Sequence, residues 1–182
     1  MWKNTLLLMG LIALMVASVN AQSVSLGPQV GYYKAQDADK GNFMGGVAWR
    51  FRFTPLIGLE GSINYRQETY ANEALTVRSW PIMVTGLIYP LPFVYGAIGA
   101  GWYSVTLDYD QDKIAIAMFK DETTQEFGWH FGGGAELPVG SAFKLTADVR
   151  YVFLNYDFKE IPGSADLKSD FYVITVGFLY NL

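Results

Sequence analysis

The sequence contains one histidine, His130, and no cysteine. Disulfides, thiolate metal sites and any site built on two imidazoles are thereby excluded. Acyl-transfer chemistry would need His130 beside a hydroxyl nucleophile. It is followed instead by Phe131 and the glycines Gly132 to Gly134. We therefore predict no catalytic residues, and His130 reads as part of a polar interior. The carboxylates Asp37, Asp39, Asp108, Asp110 and Asp112 could bind calcium or bridge anionic headgroups, but acidic residues in such polar stretches are ordinarily solvated. No metal and no cofactor is predicted. The glycine runs lack the strand-to-helix context of a phosphate loop and fit close strand packing. More informative are Arg50, Arg52, Glu60, Arg66, Glu136, Lys144, Asp148 and Arg150, because each falls on the polar phase of an alternating segment.

The chain that must position these charges has 182 residues, 51% hydrophobic, 16% aromatic and 16% charged, with a formal net charge of −4. That composition excludes a disordered chain and argues against a nucleic-acid partner, whose binding would rest on neutralising phosphates. Residues 1–21 carry Lys3, an apolar run from Leu6 to Val16, and the ending Val19-Asn20-Ala21. This is the pattern of a secretory signal peptide cleaved before Gln22, and the run is shorter than the roughly 20 residues of a spanning helix. Residues 22–182 are then one domain.

Within that domain apolar residues recur with period two, the signature of strands. Val24, Leu26, Pro28, Val30 and Tyr32 share one parity. So do Val47, Trp49, Phe51 and Phe53, opposite Ala48, Arg50 and Arg52. Ile57, Leu59, Ile63 and Tyr65 oppose Glu60, Ser62, Asn64 and Arg66; Phe127, Trp129, Phe131 and Leu137 oppose His130 and Glu136. Phe143, Leu145, Val149, Tyr151 and Phe153 oppose Lys144, Thr146, Asp148 and Arg150. Two segments, 77–88 and 93–109, are extended with ambiguous facing; Ser104, Thr106 and Asp108 suggest that the even positions of the second point inward. Eight strands are predicted, at about 23–34, 42–53, 57–68, 76–88, 93–109, 124–137, 142–155 and 169–182. Short proline-bearing links alternate strictly with longer polar ones at 35–41, 69–75, 110–123 and 156–168. Tight turns at one rim and long loops at the other are the layout of an outer-membrane barrel.

The same periodicity would fit a soluble barrel with its apolar face inward. Three features favour the inverted order. Aromatic residues cluster near the strand ends, at Tyr32, Phe53, Tyr65, Trp129, Tyr151, Phe153, Tyr172 and Tyr180, as in interfacial girdles. The other face mixes charge with small residues, which suits a narrow lumen. An eight-stranded barrel also has too little interior for a bulky apolar residue at every second position. A basic residue facing lipid costs about 2–4 kcal/mol at the bilayer midplane. The eight charged residues from Arg50 to Arg150 named above are therefore expected to line the lumen as an ion-pair network. The expected fold is an all-β, eight-stranded antiparallel up-and-down transmembrane barrel.

The chain ends in Tyr172, Ile174, Val176, Phe178, Tyr180 and Leu182 at alternate positions, similar to the C-terminal strand that outer-membrane assembly machinery recognises. The usual terminal residue of that pattern is phenylalanine, and Leu182 departs from it. Met44-Gly45-Gly46, Gly61-Ser62-Ile63-Asn64-Tyr65, the stretch from Tyr95 to Gly101, the stretch from Phe127 to Gly134, and Asp148-Val149-Arg150-Tyr151 resemble the small eight-stranded outer-membrane family typified by OmpX. The resemblance covers 22–182 in order. It implies a cofactor-free barrel in the bacterial outer membrane, in contact with its lipid and lipopolysaccharide, assembled by that machinery, and acting in surface contact. Ile114, Ile116, Met118 and Phe119 form an apolar stretch between acidic residues in the third long loop, a candidate contact for a surface protein partner. The expected function is adhesion or envelope integrity through the loops. The alternative is a narrow channel for small solutes or ions.

Overall fold

The computed structural model describes residues 23–35, 40–70, 75–109, 122–154 and 170–182. Residues 1–21, where a signal peptide is expected, and the apolar stretch 114–119 lie outside them. Eight strands run in chain order: β1 (Ser23–Ala35), β2 (Asn42–Arg52), β3 (Ile57–Tyr70), β4 (Leu75–Leu91), β5 (Val94–Tyr109), β6 (Glu122–Val139), β7 (Phe143–Phe153) and β8 (Phe171–Asn181). Each pairs antiparallel with its neighbours, and β8 returns to β1 to close the barrel. Every strand is at least 11 residues long, enough for a tilted strand to cross a bilayer. The closure is secured by Leu182 N–H donating to Val24 O at 2.9 Å and by Ser25 Oγ donating to Asn181 Oδ1 at 2.9 Å.

Three tight turns lie at one rim. In the first, Thr54 Oγ1 accepts from the backbone N–H groups of Leu56 and Ile57 at 3.2 and 3.0 Å, holding the chain around Pro55. The second is the short link from Leu91 to Val94. The third uses Gly140 at φ +69°, a left-handed conformation that favours glycine. The remaining connections leave from the opposite rim, so the alternation of short and long links fixes the two ends of the barrel. The walls are uneven there. Among the described residues, β2 pairs with β3 as far as Arg66, and β7 with β6 as far as Trp129. Beyond those points β3 to β6 continue as a four-stranded sheet.

Facing follows the charge argument on β2, β3, β6 and β7, and the apolar parity of β1 and β8 likewise faces outward. Trp49, Ile63 and Val149 are exposed on the outer wall, while Arg50 and Arg150 are buried inside. Phe51 is a local exception: it has outward parity but is buried, in register with Val24 and Leu59. On β4 the odd positions Ser79, Met83, Thr85, Leu87 and Tyr89 are buried. On β5 the even-inward expectation is wrong. Tyr95, Ala97, Gly101 and Tyr103 are buried, whereas Ile98 is 60% and Trp102 53% exposed. Ser104 and Thr106 share the outward parity of Trp102 but lie on its long-loop side, where polar groups no longer face hydrocarbon.

Candidate functional site

The lumen is filled in two layers. Toward the tight-turn rim, β2 contributes Arg50, β3 Glu60, β6 Glu136, and β7 Asp148 and Arg150, all buried. Arg50 Nε donates to Glu60 Oε2 at 3.0 Å, and Nη2 also contacts that oxygen. Its Nη1 donates to Glu136 Oε2 at 2.9 Å. Arg150 Nη2 donates to Glu60 Oε1 at 2.7 Å, and Nε donates to Asp148 Oδ1 at 3.0 Å. Glu60 is thus shared by two guanidiniums arriving from different strands. A buried carboxylate and guanidinium recover their desolvation cost only when their remaining valences are met, and here they are met by hydroxyls. Tyr89 donates to Glu136 at 3.1 Å, Tyr95 to Asp148 at 2.9 Å and Thr175 to Asp148 at 2.8 Å. Thr85 Oγ1 accepts from Arg150 Nη1 at 3.2 Å.

Lys144 and Arg52 are only partly covered, at the tight-turn mouth. Lys144 Nζ lies 3.1 Å from Glu136 Oε1, and Arg52 Nη1 lies 3.8 Å from the same oxygen. Arg66 sits apart, toward the long-loop rim. Its guanidinium carbon is 4.0 Å from the ring centroid of Phe171 and 5.4 Å from those of Tyr33 and Tyr103, within cation–π range of all three. Its Nε also reaches Ser79 Oγ at 3.4 Å. A cavity of about 10 Å³, room for one water, separates the layers and is lined by Gln29, Arg66, Arg150, Phe171 and Thr175 among others.

Seven of the eight charges thus converge on one ion-pair system, and Arg66 stands in an aromatic cage. His130 is fully buried, with Nε2 2.9 Å from Thr85 Oγ1. The hydroxyl contributions of Tyr89, Tyr95, Thr85 and Thr175, and the cage of Tyr33, Tyr103 and Phe171, were not legible as site residues. The available signal was tyrosine and threonine at odd positions of two consecutive glycine-bearing segments. On β8, Tyr172, Ile174, Val176, Phe178, Tyr180 and Leu182 all face outward. Outward rings meet in register toward the long-loop rim, as in the pairs Tyr32–Phe43, Tyr65–Trp80 and Trp102–Phe127. Of the loop carboxylates, Asp37, Asp39, Asp110 and Asp112 lie outside the described residues.

Comparison with known proteins agrees with this architecture. No curated protein matches the chain. Among solved structures, OprG from Pseudomonas aeruginosa superposes with a TM-score of 0.61 at 12% identity, covering 90% of this chain and 97% of OprG. A major outer membrane protein from Thermus thermophilus gives 0.60 at 13% identity, covering 88% and 98%. Ail, the attachment invasion locus protein of Yersinia pestis, in complex with the heparin analogue sucrose octasulfate, gives 0.52 at 16% identity, covering 88% and 97%. At such identities the likeness is one of fold. The model of the outer membrane protein beta-barrel domain matches residues 5–181. With its closed eight-stranded wall, apolar exterior and charged interior, the chain belongs to the outer membrane protein beta-barrel domain family and resides in the bacterial outer membrane.

Proposed function

We propose that the protein is a plugged barrel that works through its long-loop rim, in surface contact or in maintaining the envelope, and not as a solute pore. The observation that carries this reading is the cross-lumen chain from Asp148 through Arg150, Glu60 and Arg50 to Glu136, which ties β2, β3, β6 and β7 together across the bore. Opening a path would break several buried charge pairs together, each costing about 3–5 kcal/mol when one partner is lost. The continuation of β3 to β6 beyond their neighbours supports the other half of the proposal. It carries these four strands furthest toward the long-loop rim, where a surface protein can meet them. The apolar stretch Ile114, Ile116, Met118 and Phe119 joins β5 to β6 and belongs to the same contact surface. The outward residues of β8 serve recognition by the assembly machinery, and the outer wall meets membrane lipid and lipopolysaccharide.

Planar-bilayer recording tests the plugged lumen. The expected trace shows no steady single-channel steps; sustained conductance at neutral pH would replace this reading with a narrow channel. Deleting residues 114–119 from a barrel that still shows heat-modifiable gel migration should abolish surface-partner capture, and undiminished capture would remove that stretch from the contact surface.

A further inference from the structure

The lumen charges alternate in sign along one connected path. Asp148, Arg150, Glu60, Arg50 and Glu136 follow one another, each in direct ion-pair contact with the next. At Glu136 the alternation ends on two cations, Lys144 and Arg52, both reaching Oε1. The path therefore carries one more positive than negative charge, and the surplus sits at the tight-turn mouth. Arg52 is the member with the longest ion-pair distance on this path. Its 3.8 Å approach to Glu136 is too long for a hydrogen bond. Nη2 donates to the carbonyls of Pro55 and Pro92 at 2.8 and 3.4 Å, which, with the guanidinium 3.9 Å over Tyr89, fixes the group across two turns. Nε is buried and has no hydrogen-bond partner among the described residues. The side chains of Arg52 and Lys144 are 20% and 13% exposed, so solvent reaches both. Residues 1–22 contain no aspartate or glutamate, and the other undescribed segments join strand ends at the opposite rim.

We propose that the tight-turn mouth is a binding site for a small oxyanion, the phosphate or carboxylate group of a periplasmic solute, held between Arg52 and Lys144. Nη1, the guanidinium nitrogen that no carbonyl takes, supplies charge-assisted donors to one oxygen of such a group, and the ammonium supplies a point charge beside it. Both residues have inward parity on their strands, so the ligand is a dissolved anion and not a headgroup of the surrounding bilayer. Occupation completes the alternation of sign and leaves the plug above it intact.

The folded barrel in a nonionic, phosphate-free detergent is titrated with inorganic phosphate and followed by ³¹P line width. Saturable broadening that acetate reverses is the expected result. Arg52→Gln should weaken phosphate binding at least tenfold, Arg52→Lys less, and Arg52→Gln with Lys144→Gln should abolish it. Arg78→Gln, at the long-loop end of β4, should leave it unchanged. Heat-modifiable migration on gels reports folding of each variant. The absence of saturable binding in the unsubstituted protein, or equal binding by it and Arg52→Gln, would overturn the site.

Discussion

Arg150 and Arg66 are both buried guanidiniums inside the same barrel, 4% and 1% exposed, yet they are held differently. Arg150 is fixed by Glu60, Asp148 and Thr85, each accepting from a specified nitrogen. Around Arg66 the rings of Phe171, Tyr33 and Tyr103 supply the nearest faces. A carboxylate demands a direction and a charge, and its loss leaves an uncompensated ion. An aromatic face is apolar surface as well as a weak electrostatic partner, so it also accepts a neutral side chain. The first layer is therefore specific and brittle, and the second is built around aromatic faces. Beside the second layer, Met44 and Met83 line the water-sized cavity.

The largest effect is expected from breaking the brittle layer. Arg150→Met leaves Glu60 with one guanidinium in place of two and strips Asp148 of its only cation among the described residues. It should lower folding stability by about 3–5 kcal/mol. Urea unfolding in lipid vesicles measures this; a loss under about 1 kcal/mol would mean that the network is not a cooperative unit. Gly134→Ala tests the same layer without touching a charge. A Cβ there would lie 2.4 Å from Asp148 Cβ and 2.7 Å from the Tyr95 hydroxyl, pushing apart a pair that hydrogen-bonds at 2.9 Å. The expected cost is about 1–3 kcal/mol, that of overpacking a filled interior. Arg66→Met removes the cation–π contacts of the aromatic layer, on the scale of about 1–2 kcal/mol. A loss equal to that of Arg150→Met would erase the distinction between the layers.

The contrast also explains what the residues disclosed in advance. Four strands, β2, β3, β6 and β7, pair a charged phase with an apolar one, and for these the penalty for charge in hydrocarbon leaves one orientation: Glu60 and Arg50 cannot face lipid. On β4 and β5 both phases are apolar or small. Met83, Leu87 and Tyr89 face in while Ile82, Val84 and Ile88 face out, so periodicity carries no sign. Ser104 and Thr106 misled because polarity on a long strand reports height as well as side; past Trp102 an outward hydroxyl meets headgroups and water. The inward tyrosines of these strands look apolar in a hydropathy pattern, yet Tyr89 and Tyr95 bring hydroxyls to Glu136 and Asp148. No single strand reveals the acceptor that a tyrosine two strands away will find, so the carboxylates were legible and their hydroxyl partners were not. Likewise, the position of Arg66 on the charged phase of β3 placed it inside, but its separation from the other charges depends on strand stagger, which appears only when the barrel closes.

The smallest expected effect has the opposite sign. In the β5–β6 ladder Tyr95 pairs with Gly134, and Gly96 pairs with Gly133. Gly96 and Gly134 thus sit one step apart but face opposite sides of the wall. A Cβ on Gly96 meets nothing within 4 Å, whereas one on Gly134 collides with the Asp148–Tyr95 pair. In a strand interior glycine is less stable than alanine by roughly 0.5–1 kcal/mol, because it has more backbone freedom to lose. Gly96→Ala should therefore stabilise the barrel by up to about 0.5–1 kcal/mol, with unfolding in vesicles again the measure. Two alanines one ladder step apart are then expected to move stability in opposite directions. If both destabilise, the outer wall at Gly96 is packed against something other than fluid lipid, and the permissive exterior of β5 would have to be abandoned.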